Sequence, residues 1–296
     1  MANVADDSIA RRRGGALFLV ATPIGNLGDL SPRARETLRD ADVLLAEDTR
    51  HTSQLLHASG IERAAGTLLS LHEHNERASV AAHVERMLGG ATIALVSDAG
   101  TPLVSDPGAA LVRAAIAADI EVVAVPGPCA AVAAITLSGL PADRFAFEGF
   151  LPAKHAARVE ALRGRSRESR TLVFYEAPHR LQDALADLEE VFGPERPAAL
   201  LREITKRFES AYRGTLRELG ERCARDPDMS RGEIVLVVGG ATQPEAPDAA
   251  AVQTLLRALL EELPASRAAR VAARVTGRPR KELYDLALAL GATPGP

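Results

Sequence analysis

The sequence predicts an α/β protein of two lobes followed by a small helical unit. Three features carry this. Apolar runs of about five residues alternate with helix-length segments over 14–137. The alternation loosens over 138–240, where strand-like runs follow one another more closely. An Ala/Pro/Gln/Glu-rich linker at 241–249 then precedes a block, 250–296, with helical periodicity only.

Residues 1–13 are small or polar and end in an arginine triplet, and read as a disordered tail. Residues 17–21 read as a buried strand bounded by the turn Thr22-Pro23-Ile24-Gly25-Asn26. Ser31 and Pro32 supply an N-cap and first-turn pair for a helix to about residue 39. Strands follow at 42–46, 67–71, 92–96 and 121–125, with helices at 52–57, 76–88, 107–118 and 128–137. Helices between short apolar strands imply parallel pairing with the sheet covered on its faces. Asp106 before Pro107 reads as a helix cap, with ligand contact as the alternative. Gly139-Leu140-Pro141 reads as the hinge between lobes.

In the second lobe the strands are 145–150, 171–175, 198–202, 209–215 and 233–238, with helices at 155–163 and 178–190. The third and fourth of these strands have no long helix between them, so a mixed or partly antiparallel sheet is expected. The last block reads as three helices, 251–260, 267–274 with Ser266 as cap, and 280–290, a helix-turn-helix-like unit.

Composition limits function. At 296 residues the chain can bury large cores, built from Ala, Leu and Val, because aromatics are 3% and tryptophan is absent. So few aromatic rings argue against a platform that stacks many bases. A net charge of −4 argues against general nucleic-acid coating but not against local cationic patches. Cys129 and Cys223 stand far apart, without metal-ligand spacing, so no disulfide framework and no metal is indicated. The apolar run at 16–21 is too short for a signal peptide and no segment has membrane-span length, so a cytoplasmic protein is expected.

Three loops follow expected parallel strands at their carboxyl ends, where such sheets open a ligand crevice: 22–29, 97–108 and 126–130. None has the glycine spacing of a dinucleotide or ATP loop. Their prolines and glycines give preshaped backbone rich in free amides and carbonyls, which suits a polar base joined to an amino-acid moiety.

These loops, with Ala46-Glu47-Asp48-Thr49-Arg50-His51-Thr52, Leu71-His72-Glu73-His74-Asn75-Glu76, Phe174-Tyr175-Glu176-Ala177-Pro178-His179-Arg180 and Arg202-Glu203-Ile204-Thr205-Lys206, resemble the tetrapyrrole methylase superfamily. More narrowly, they resemble its ribosomal RNA small subunit methyltransferase I branch, over about 16–290. The resemblance implies a homodimer of two-lobed chains, with S-adenosylmethionine in the cleft between the lobes. It implies 2′-O-methylation of a cytidine ribose in 16S rRNA. Cofactor contacts carry over onto Ile24, Asp98, Thr101, Cys129, Ala130, Tyr175 and Glu176. The family usually has serine where Cys129 stands, and a thiol donates a weaker hydrogen bond.

For such a transfer the protein must align oxygen, carbon and sulfur and help the hydroxyl lose its proton. Glu47, Arg50 and Lys206 are the catalytic candidates. Glu47 would orient or deprotonate the hydroxyl, Arg50 would hold a phosphate, and Lys206 would lower the hydroxyl pKa or bind phosphate. Asp48, Glu73, Asn75, Lys154, Arg180 and Arg202 are the substrate-binding candidates. Each has a plain alternative: a loop salt bridge for Glu47, Asp48 and Arg50, a cap or loop role for Glu73 and Asn75, and a structural ion pair for Lys206. Lys154, His155, Arg158, Arg163, Arg165, Arg167 and Arg170 form the densest basic run, and Arg267, Arg270, Arg274, Arg278, Arg280 and Lys281 a second. Each reads either as an RNA grip or as a solvated face. Scattered cations on an acidic protein suit a rigid RNA shape, hence 30S subunits or late assembly particles. The rival readings are a precorrin-like tetrapyrrole C-methyltransferase and a non-enzymatic RNA-binding assembly factor.

Overall fold

The computed structural model describes residues 15–72, 75–241 and 249–291. Residues 1–240 form one compact unit and the chain from Ala241 a second. The expected tail at 1–13 and most of the expected linker lie outside the described residues.

The first lobe is built from β1 (Ala16–Val20), α1 (Pro32–Asp40), β2 (Val43–Ala46), α2 (Thr49–Ala58), β3 (Leu68–Ser70), α3 (Glu76–Leu88), β4 (Thr92–Val96), α4 (Ala109–Ala117) and β5 (Glu121–Val125). Its sheet has the order β3-β2-β4-β1-β5, and every pairing is parallel. Successive side chains of β1 feed opposite cores, as strand geometry requires. Ala16, Phe18 and Val20 pack with Leu38 of α1 and Leu56 of α2, while Leu17 packs with Met87 of α3 and Leu111 of α4. The connections leaving the adjacent strands β1 and β4 therefore run over opposite faces. That divergence opens a crevice at their carboxyl ends.

Ser31 caps α1 as expected, its Oγ accepting from Ala34 N at 3.0 Å. The expected cap at Asp106 is corrected. Helix α4 starts at Ala109 with Gly108, at φ 117°, in the cap position and no side-chain bond of its own. The free amide of Ala110 is instead met by Glu76 Oε1, 2.6 Å away on α3. A cap contributed across 34 residues leaves Asp106 free for other work.

Helix α5 (Ala130–Ser138) follows, then β6 (Phe145–Phe150), α6 (His155–Arg163), β7 (Thr171–Glu176), α7 (Leu181–Phe192), β8 (Pro197–Arg202), β9 (Ser210–Thr215), α8 (Leu216–Arg225) and β10 (Ile234–Val238). The second sheet has the order β6-β7-β10-β8-β9. It is mixed, as expected: β6 and β7 are parallel, and β10 runs antiparallel to both β7 and β8. Helix α8 escaped the sequence reading, although Thr215 and Glu218 form a capping box and Leu216, Leu219 and Cys223 give its buried stripe.

One face of this sheet packs on α7 and α8. The other meets α5 through Ala131, Ala134 and Ile135, and also Ile24 from the loop after β1. Arg213 Nε on β9 donates to the Leu137 carbonyl at 3.0 Å and ties down the end of α5. The change of partner sheet thus falls ahead of α5, not at Gly139-Leu140-Pro141. Small side chains let this helix lie close on the second sheet.

The second unit contains α9 (Ala249–Glu262), α10 (Ala265–Thr276) and α11 (Arg280–Gly291) around Val252, Leu256, Ala269, Ala272, Leu283 and Ala287. Ser266 is not the cap of α10. The helix begins one residue earlier, after Pro264, whose fixed φ suits a helix start. Gly277, at φ 70°, terminates α10 in the left-handed conformation that favours glycine. Among the described residues no helix is long and apolar enough to cross a membrane.

Candidate active site

The crevice at β1 and β4 is closed from the far side by the second sheet. The result is a cavity of about 400 Å³ within the first compact unit. Its floor is the loop 97–108, which is held in place by its own hydrogen bonds. Thr22 and Gly100 exchange backbone bonds at 2.9 and 3.1 Å. Ser97 Oγ donates to the Gly100 carbonyl at 2.9 Å, and Thr101 Oγ1 to the Pro128 carbonyl at 2.9 Å. Leu103 and Ser105 sit at φ 72° and 69°, strain of the kind that concentrates at functional loops. A Cβ on Gly100 would lie 3.2 Å from Ile24 Cγ2, so the glycine lets the two loops touch.

Ile24, Val104, Ala130, Phe150 and Val235 give the cavity an apolar wall. Tyr175 closes one side, its ring 5.6 Å from that of Phe150 in an edge contact and its hydroxyl accepting from Ala131 N at 3.2 Å. Burial pushes the tyrosine's pKa up, and its contact with Cys129 adds to the effect. The polar lining is acidic: Asp98, Asp106, Glu176 and Glu233 border the cavity, and among the described residues no lysine or arginine does.

These carboxylates are held differently. Asp98 Oδ1 accepts from Asp48 N at 3.0 Å and Oδ2 lies 3.1 Å from His51 Nδ1, so it joins the loop after β4 to the start of α2. Glu176 is buried. Burial raises its pKa against the opposing pull of the Ala177 amide and Arg180, whose Nε is 3.2 Å from Oε1. Glu233 pairs with Lys206 Nζ at 3.0 Å. Asp106 Oδ2 is shut from solvent with no hydrogen-bond partner. Burial pushes this carboxyl up to about 6, helped by the negative charges of Glu47 and Asp98 and opposed by a hydrogen bond from Ser97.

Of the expected cofactor residues, Ile24, Asp98, Thr101, Ala130, Tyr175 and Glu176 border this one cavity. Cys129 stands just behind it at the cap of α5. Asp106, for which ligand contact was the alternative to a cap, also lines it, with Ser105, Phe150 and Gly232 to Val235, which were not singled out as contacts. The carboxyl-end position of 97–108 pointed to the first two, but nothing local in the sequence brings 232–235 to β1.

The catalytic and substrate candidates are more dispersed. Glu47 acts electrostatically on Asp106 from the end of β2. Asp48 caps α2 and grips its neighbour, with Arg50 Nε 3.0 Å from Oδ1, in a pair whose arginine is 85% exposed. Lys206 is pinned between Glu203, at 2.9 Å, and Glu233. Burial pulls its pKa down, but the two carboxylates outweigh this and leave it raised. Its stem covers Gly25, where a Cβ would come within 2.3 Å of Lys206 Cγ. The structural pair is thus the reading its geometry supports.

Asn75 is occupied in its own loop, accepting from His72 N at 2.8 Å and donating to the Ser70 carbonyl at 3.0 Å. Glu73 lies outside the described residues. Arg180 binds Glu176 and the Leu151 carbonyl. Arg202 holds the carbonyls of Arg231 and Phe208, at 2.8 and 2.9 Å, and is likewise internal. Lys154, at the cap of α6, is exposed.

The basic run is less cationic than its residues suggest, because acids answer it, two from other segments and one from within the run. Arg158 meets Asp187 at 2.6 Å, Arg165 meets Glu148 at 2.5 Å and Arg170 meets Glu168 at 2.7 Å. Lys154 and Arg167 remain exposed. In the second unit, Arg267, Arg270 and Arg274 follow one another along one exposed face of α10.

Residues 16–220 match the family of tetrapyrrole (corrin/porphyrin) methylases, and residues 246–291 match the RsmI C-terminal HTH domain. Similar curated proteins include the ribosomal RNA small subunit methyltransferase I of Xylella fastidiosa (strain Temecula1), 52% identical, with 91% of this chain and 98% of that protein covered. The protein of that name from Pseudomonas aeruginosa is 51% identical, with 93% and 97% covered. Among solved structures, the methyltransferase CobJ shares the fold at 22% identity and a TM-score of 0.57, over 78% of this chain and 96% of its own. Uroporphyrin-III C-methyltransferase from Thermus thermophilus, complexed with S-adenyl homocysteine, does so at 19% identity and a TM-score of 0.52, over 76% and 97%.

Proposed function

Because this chain belongs to the tetrapyrrole methylase family, in its ribosomal RNA small subunit methyltransferase I group, we propose that it transfers the methyl group of S-adenosylmethionine to the ribose 2′-hydroxyl of a cytidine in 16S rRNA. One observation carries the donor assignment: the cavity joins an apolar wall to four carboxylates, with no basic residue in the lining among the described residues. Such a lining suits a flat base and a cationic group. Asp106 adds a partly buried carboxylate at the cavity border, whose charge a cationic ligand would offset.

The donor, when bound, supplies a methyl group already activated by a positively charged sulfur. The protein's task is alignment and proton removal. Ile24, Thr101 and Ala130 line the cavity, and Asp98, Tyr175 and Glu176 offer polar atoms. Glu47 stands beside the cavity at the end of β2 and receives or orients the proton of the ribose hydroxyl. Lys206 acts as a positioning residue, holding Glu233 in the wall and its own loop against Gly25. Arg50, Lys154 and Arg167, with the exposed cations of α10, supply the phosphate contacts. The working molecule is a cytoplasmic homodimer acting on 30S subunits or late assembly particles.

Tritiated methyl transfer to 30S particles and to free 16S rRNA, followed by nuclease digestion, tests the reading. The expected product is 2′-O-methylcytidine, formed faster on particles. Label in a macrocycle, or RNA binding without transfer, would sink it. Removing residues after Gly240 should leave donor affinity and the melting of the first unit unchanged, since the two units are separately compact. Affinity for particles should fall at least tenfold and depend less steeply on salt, as expected from the loss of several phosphate contacts.

A further inference from the structure

Asp106 is anomalous within the cavity. Most buried carboxylate oxygens are hydrogen-bonded, and an orphan carries a charge whose cost a cation in the adjoining cavity offsets. Its Oδ2 has no partner, the helix that seemed to need it is capped by Glu76, and it borders the ligand cavity directly. The charged groups facing it from the packed elements are acidic: Glu47 from the end of β2 and Asp98 from the loop after β4. Tyr175 on β7 also senses its charge. Glu176 and Glu233 border the same space, with their nearest cations, Arg180 and Lys206, already engaged. Ser97 eases a negative charge here, but among the described residues no cation pairs with Asp106.

Resting on the donor reading above, we propose that Asp106 is the counter-charge for the cationic part of S-adenosylmethionine, so that donor uptake and loss of this carboxyl's proton are one linked event. The protonated acid gives its proton to the buffer, and the carboxylate left behind faces the donor's positive charge. No bond to carbon forms or breaks in this step. Where the sulfur is the cation served, methyl transfer neutralises it and leaves the carboxylate poorly compensated again. A counter-charge opposite the sulfonium therefore favours release of the product over release of the donor.

The sign follows from linkage. Donor binding favours the ionised acid, so affinity is full above the carboxyl's value of about 6 and falls as pH drops through it. Calorimetry with S-adenosylmethionine should show affinity weakening by about tenfold between pH 7 and pH 5. Titration at pH 6 in buffers of different ionisation enthalpy should show release of about half a proton per donor bound. In Asp106→Asn both effects should vanish, separating Asp106 from His51, the imidazole beside Asp98. The variant's melting temperature without ligand at pH 7.5 should exceed the wild type's, because a buried uncompensated charge has been removed.

S-adenosylhomocysteine identifies which cation is served. Loss of affinity confined to the sulfonium compound assigns Asp106 to the sulfur, and loss shared by both assigns it to the ammonium. Wild-type affinity flat from pH 7 to pH 5 overturns the proposal, as does an Asp106→Asn variant that keeps the pH dependence. Failure of the wild type to bind the donor at any pH would instead overturn the donor reading itself.

Discussion

Asp98→Ala is expected to weaken S-adenosylmethionine binding by about two orders of magnitude. Asp98 both borders the cavity and bonds the Asp48 amide and His51, at 3.0 and 3.1 Å. Hydrogen bonds to a charged group contribute about 1.5–3 kcal/mol each, and about 1.4 kcal/mol is a factor of ten in affinity. Losing one ligand contact and the tether that fixes the rim thus comes to roughly 3 kcal/mol. Asp98→Asn keeps an acceptor for the Asp48 amide and should fall between the alanine variant and the wild type. Calorimetry on the folded variants reads the effect directly. Alanine and wild-type proteins with equal donor affinity would remove Asp98 from the site.

The largest expected loss of stability is at Arg158. It is 3% exposed, with its Nε 2.6 Å from the buried Asp187. Arg158→Ala leaves that carboxylate with the His155 ring, 2.9 Å away, as its remaining side-chain partner. Breaking a buried ion pair from one side costs about 3–5 kcal/mol, which lowers the melting temperature of a domain this size by roughly 10 °C. Replacing both partners, as Arg158→Met with Asp187→Leu, should restore most of the loss, because no buried charge is then left alone. Affinity for 30S particles, per folded molecule, should not change. A weakened grip on particles at unchanged stability would mean that this arginine reaches RNA after all.

Arg158 also shows what a linear sequence hides. It stands in the densest basic run, yet the acid that claims it is 29 residues away on α7. Arg180 and Arg202 likewise have partners that their local sequence does not show, the carbonyls of Leu151 and Arg231. Charge is visible in a sequence, but its neutralisation is a matter of tertiary contact. Asp106 is the mirror case: it looked like a cap because the true cap, Glu76, comes from a different helix.

Where local physics decides, the sequence was legible. Strands β4, β5 and β6 fall on the predicted residues, because apolar runs bounded by turn-forming residues leave little choice of ends. The cofactor loops were identifiable because parallel strands present their carboxyl-end loops to one crevice. The far wall at 232–235 was not, since it depends on how the second sheet is placed against the first strand's loop.

The seam of the first unit bears on how its chain can be divided. Because α5 belongs to the second sheet by packing, a cut at 139–141 would strand Ala131, Ala134 and Ile135 on one fragment and leave Val173, Ala199 and Val237 bare on the other. Both pieces would then carry sticky apolar faces that invite aggregation. Breaking the chain just ahead of α5 keeps the helix with its sheet. Fragment complementation at that point would rebuild the donor pocket from two polypeptides, making cofactor retention a direct signal of reassembly.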